Sequence, residues 1–170
     1  MTWNDTFLAL FERCVAAYRG GNQDYETYYS SADLEFLAEI GYQKREFFDF
    51  VEDFCDGGEP TPTTALLIAA ARRDFFITVQ KRQPGINILN RDNIPTFGDE
   101  LQGMAYLPRI IAKGRAKLRG ELDPDLMFCC GGDRRFLKNH GDIHPADFLR
   151  QLWAVKDDDN KLAAWVAAQV

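Results

Sequence analysis

The chain reads as all-α: two pseudo-repeated helical units packed into one globular protein. Three observations predict this. Apolar residues recur at three- and four-residue spacing along most of the 170 residues. No stretch alternates apolar and polar side chains in the way of a half-buried strand. And the order of helix stops, caps and aromatics returns one hundred positions further along.

The first unit is expected over 1–82. Phe7, Leu10, Phe11, Cys14 and Tyr18 mark a helix over 4–19, stopped by Gly20-Gly21. A short helical or turn segment covers 23–30. Ser30 or Ser31 caps a helix carrying Leu34, Phe36, Leu37 and Ile40, ended by Gly41. A Phe-rich helix spans 44–55 and stops at Gly57-Gly58. Thr61 before Pro62 is a helix start, because its hydroxyl can cap and proline suits the first helical position. That helix runs to about Gln80.

Residues 82–104 hold Pro84, Gly85, Asn87, Asn90, Asn93, Pro95, Gly98 and Gly103, a linker composition. Ile86, Ile88, Leu89, Ile94 and Phe97 within it imply order, so 83–104 is an ordered linker that crosses between the units. The second unit, 105–170, starts with a helix over 105–119 ended by Gly120. Asp123-Pro124 opens a short helix ended by Gly131-Gly132. Asp133 caps the next, stopped by Gly141. Pro145 opens a helix to Val155, and Asp157 to Asp159 cap a last one with Leu162, Trp165 and Val166.

The repeat is gapless at a shift of one hundred. Identical pairs are Ala16/Ala116, Arg19/Arg119, Gly20/Gly120, Asp33/Asp133, Phe36/Phe136, Leu37/Leu137, Gly41/Gly141 and Phe48/Phe148. They are the positions where helices stop, are capped or bury a ring, so duplication explains them better than shared amphipathicity. The contact between the repeats is expected to be lined by Phe, Tyr and Trp, of which the chain has 13, 6 and 3.

Composition bounds the setting. The longest apolar run, Ala65 to Ala71, is far short of the ~20 residues that span a bilayer. No signal-peptide pattern is visible at the start, and the four cysteines lack zinc or Cys-x-x-Cys spacing, so reduced thiols and a cytoplasmic location are expected. The net charge of -6 is uneven: residues 1–60 carry -9, residues 61–122 carry +5 and residues 123–170 carry -2. Such asymmetry marks either internal pairing or a charged partner.

The stretch Leu107-Pro-Arg-Ile-Ile-Ala-Lys-Gly-Arg-Ala-Lys-Leu-Arg-Gly120, then Asp133-Arg-Arg-Phe-Leu137, Gly141-Asp-Ile143 and Asp159-Asn-Lys-Leu-Ala-Ala-Trp165, occur in that order. Together they resemble the bacterial domain-of-unknown-function family 5069 over residues 95–168, with the first half a diverged copy. The family's usual aspartate before the lysine is Ala112 here. The first half has Glu12-Arg13 at the matching offset. The resemblance implies a fold and no reaction.

Two charged helices are the candidate binding residues. Arg109, Lys113, Arg115, Lys117 and Arg119 lie in eleven residues free of acids, and Arg109, Lys113 and Lys117 share one face. They suit an anion or a partner. Asp49, Glu52, Asp53 and Asp56 recur at helical spacing and suit a partner or a hard cation, though calcium-loop glycines are missing. His140 and His144 are separated by Gly141, so no metal site is indicated. No Glu-x-x-His pair, nucleophile elbow or phosphate loop occurs, and catalytic residues and cofactors are left unassigned. The expected function is a non-enzymatic interaction or regulatory module with a protein partner. The alternative is a small-molecule-binding protein or enzyme with a pocket between the halves. The acidic balance argues against nucleic acid.

Overall fold

The computed structural model describes residues 2–170 and is mostly helical, with eight α-helices and one small hairpin among those residues. The chain forms two compact units, Met1–Arg82 and Gln83–Val170. No helix among the described residues is long and apolar enough to cross a membrane.

In the first unit α1 is Trp3–Arg19, α2 Ser31–Glu39, α3 Lys44–Gly57 and α4 Pro62–Thr78. The starts are set by short polar side chains. Thr2, Ser30 and Thr61 accept the backbone N–H three residues on, and Asp5 and Asp33 reach back to complete capping boxes. The core is a ring cluster: Phe7 and Phe11 of α1 meet Phe47 of α3 edge-on at 5.0 and 5.9 Å. At the end of α2, Gly41 has φ 78°, and a Cβ there would lie 2.7 Å from Cγ of Phe76. The same corner holds the buried Arg72, whose Nη2 donates to the Gly41 carbonyl at 2.9 Å and whose Nη1 donates to Gln80 at 2.8 Å.

The second unit begins with an irregular segment that does more than link. Leu89 N–H donates to the Glu121 carbonyl at 2.7 Å, and Leu89 bridges Leu122 in parallel. Strands β1, Glu100–Leu101, and β2, Met104–Ala105, then form a two-residue hairpin. The sequence pattern missed it because the strands are too short to alternate. The left-handed backbone of Gln102 and Gly103 makes the tight turn.

Helix α5, Leu107–Arg119, starts from a left-handed Tyr106 (φ 76°), and α6 is Gly131–Asn139, α7 Pro145–Val155 and α8 Asp159–Ala167. The short helix expected at Asp123-Pro124 does not form. Asp123 turns its carboxylate onto the N–H of Asp125 and its carbonyl onto that of Leu126, and the resulting turn does not propagate. Gly131-Gly132 is therefore not a stop: it is the first turn of α6, with Cys130 in the capping position. Asp133 is the third residue of that helix and not its cap.

Candidate functional site

Helix α5 is buried nearly all round. Leu107, Ile110, Ile111, Gly114, Ala116 and Leu118 are inside, and so are Lys113 and Lys117, 3% and 1% exposed. A buried ammonium costs several kcal/mol in effective solvation unless it is paired. For Lys113 the pairing comes from α6. Its Nζ donates to both carboxylate oxygens of Asp133, at 2.8 and 2.7 Å, and to Sγ of Cys130 at 3.2 Å. Those three contacts use all three ammonium hydrogens.

Asp133 is fully enclosed and collects two further donors, the Tyr106 hydroxyl at 2.8 Å and the Cys129 N–H at 2.8 Å. The hydroxyl reaches it only because residue 132 is glycine: a Cβ there would sit 2.7 Å from the Tyr106 oxygen. Burial, reinforced by Asp133, raises the Tyr106 phenol far above its ordinary value. Burial likewise pushes the Cys129 thiol up to about 12. The Cys130 thiol beside it is only partly buried.

The five basic residues of α5 therefore do not form a common binding face. The 3.6-residue period puts Arg109, Lys113 and Lys117 on one side, but that side is turned inward at 113 and 117. Arg109 donates to the Pro95 carbonyl at 2.7 Å and lies 4.4 Å from the Phe97 ring. Arg115 pairs with Asp159 of α8 and donates to the Lys156 carbonyl at 2.9 Å. Arg119, half exposed, lies 4.0 Å from Asp157.

The acidic residues of α3 likewise do not converge on one site: two share Arg45 and a third is held by Tyr18. Asp49 takes Arg45 Nε at 2.9 Å, Glu52 lies 3.8 Å from the same guanidinium, and Asp56 accepts from the Tyr18 hydroxyl at 3.0 Å. Asp53, on the same helix, is partly buried. Among the described residues no three His, Cys, Asp or Glu side chains are placed to hold a metal ion. His140 gives Nδ1 to the Phe136 carbonyl at 2.8 Å, and His144 caps α7.

Beside α5 lies an open cleft of about 540 Å³, walled on one side by residues 87–90 and Asn93 and on the other by Ala112, Arg115, Ala116 and Arg119, with Glu121 between. Ala112, the position where the family resemblance expects an aspartate, puts only a methyl into it.

Of the cleft, Arg115, Arg119 and Ala112 are legible in the sequence as positions of interest; Tyr106, Cys130, Glu121 and the 87–93 wall are not among its candidate site residues. One signal was available for the cluster. The shift of one hundred aligns Arg13 with Lys113 and Asp33 with Asp133, and in the first unit Arg13 Nη2 meets Asp33 at 2.7 Å. There the side chains are 58% and 14% exposed, against 3% and 0% in the second unit.

The second unit is thus a small helical domain whose central helix is clamped by a buried ion pair. Residues 96–170 match the model of a family described as a domain of unknown function (DUF5069). The cluster lies inside the matched stretch, whereas the 87–93 wall of the cleft precedes it. No curated protein and no solved structure matches the chain.

Proposed function

We propose that the protein is a non-enzymatic cytoplasmic interaction module that takes an extended segment of a partner protein onto the outer edge of residues 86–89, the segment that walls the cleft beside α5. The observation that carries this is the strand-like wall of that cleft. The amides of residues 87 and 89 face inward, to the Glu121 side chain at 3.1 Å and its carbonyl at 2.7 Å. In an extended chain the amides of 86 and 88 then face away, and an incoming strand can pair with them. Ile86 and Ile88, 85% and 49% exposed, flank that edge and supply apolar contact. The four free cysteines support a reducing compartment.

The duplication read from the sequence is also retained as part of this proposal. Its support is the matching placement of α2 and α6, Ser31–Glu39 and Gly131–Asn139, together with the two ion pairs at the same offset.

The test is native mass spectrometry of the tagged full chain purified from its own host, beside an Ile86→Lys/Ile88→Lys variant. A protein partner bound in defined ratio to the wild type and lost from the variant is expected. A bare monomer, a bound small molecule, or a partner kept equally by the variant overturns the reading.

A further inference from the structure

We propose that Cys130 and Lys113 form a peroxide-modifiable site, in which oxidation of the thiol is followed by a covalent sulfur–nitrogen bond between the two side chains. The geometry points to it. Nζ of Lys113 lies 3.2 Å from Sγ of Cys130, and its position is not free to drift, because Asp133 holds the same nitrogen at 2.7 and 2.8 Å. Lys113 is 3% exposed, so the amine approaches the sulfur from inside the fold. Cys130 is only partly buried, so it is the residue of the cluster's two cysteines that a molecule the size of hydrogen peroxide can approach from outside. The neighbouring Cys129 is fully buried and its thiol is held protonated by burial. This leaves Cys130 as the sulfur open to attack.

The chemistry balances with peroxide as the named oxidant. The Cys130 sulfur attacks one peroxide oxygen; the S–O bond forms, the O–O bond breaks, and the second oxygen leaves as water. The sulfur is oxidised by two electrons and the peroxide reduced by two. Lys113 then gives a proton to Asp133, its bonded acceptor, and the freed amine attacks the sulfenic sulfur. The S–N bond forms and the S–O bond breaks, with the hydroxyl leaving as a second water. Condensation of a sulfenic acid with a nearby nitrogen is established chemistry for backbone amides, and a side-chain amine is the better nucleophile. The product leaves Lys113 without its positive charge, so Asp133 loses its cation and keeps the proton. The clamp between α5 and α6 is thereby converted from an ion pair into a covalent link that a thiol reductant reopens.

The experiment is intact-mass analysis of the full chain after hydrogen peroxide, before and after dithiothreitol, followed by peptide mapping. A species roughly 2 Da lighter than the reduced protein is expected, restored by dithiothreitol, with the peptides containing residues 113 and 130 joined. A vicinal Cys129–Cys130 disulfide would have the same mass. The link should therefore persist in a Cys129→Ser variant and vanish in Lys113→Arg, which keeps the charge opposite Asp133. Addition of oxygen atoms to Cys130 with no joined peptide overturns the proposal. So does a lighter species that survives Lys113→Arg or disappears in Cys129→Ser. The joined peptide in the unaltered protein decides the matter even if a variant fails to fold.

Discussion

Lys113 contacts both oxygens of Asp133, at 2.8 and 2.7 Å, and neither side chain reaches solvent. One residue stands on α5 and the other in the first turn of α6, so the contact fixes the two helices against each other at a single point. Two charges taken out of water gain little net stability when both are present, but removing one strands the other.

Replacing Lys113 by Met is therefore expected to destabilise the protein by about 3–5 kcal/mol, since Asp133 is left charged and enclosed. Adding Asp133→Leu to that variant should recover most of the loss. Urea unfolding midpoints check both values. A double variant no more stable than Lys113→Met would mean that the hydrogen bonds from Tyr106 and Cys129, and not the charge pairing, set the energy of the site.

The more exposed ion pair of the first unit, Arg13 with Asp33, should respond to pH. At Asp33 burial raises the carboxyl's pKa. The Ser30 hydroxyl, Arg13 and the Ser30 amide together outweigh this and hold it below its ordinary 3.8. A depressed folded value means stabilisation that is present at neutral pH and lost as pH falls through the carboxylate range. An Asp33→Asn variant is then expected to be less stable than the wild type at pH 7, with the gap closing below about pH 4. A gap that is constant across the range, or that widens in acid, would contradict the sign.

Two glycines allow the cost of a close contact to be separated from the cost of the backbone. Gly41 and Gly58 both have φ 78°, but an added Cβ meets Phe76 at 2.7 Å in the first and nothing within 4 Å in the second. Each Gly→Ala change carries the left-handed penalty of about 1–2 kcal/mol. Gly41→Ala should carry a further loss of about 1–3 kcal/mol from overpacking. Equal midpoints in urea for the two variants would show that the Phe76 ring moves aside at no cost.

The legible parts of the fold were those decided within a few residues. Ser30 and the Thr61-Pro62 pair start helices through bonds to their own first turns, and Gly41, Gly120 and Gly141 end them in the left-handed backbone. Asp133 reads as a cap in the sequence because the same residue type serves as a cap and as a third-position acceptor. Only the side chains it meets distinguish the two, and Lys113 and Tyr106 arrive from 20 and 27 positions away. The inward turn of Lys113 and Lys117 was illegible for the same reason. Periodicity says which residues share a face but not which way the face looks. Of the candidate site, the basic residues were visible and their dispersal was not. The cleft wall at 87–93 was seen only as ordered linker, because its pairing with Glu121 and Leu122 is non-local.

The way α5 disposes of its charge has a consequence for the chain before it folds. Arg109, Lys113, Arg115 and Arg119 are engaged by scattered pieces of the second unit: the loop at Pro95, α6, α8 and the turn at Asp157. Until those pieces arrive, residues 109–119 are a bare polycation with no acid among them. Nascent or partly denatured protein should cling to RNA and other polyanions through this stretch, and release them as folding buries its lysines and engages its arginines. Nucleic acid that co-purifies with this protein would then measure the unfinished fraction of the sample and not an activity of the finished one.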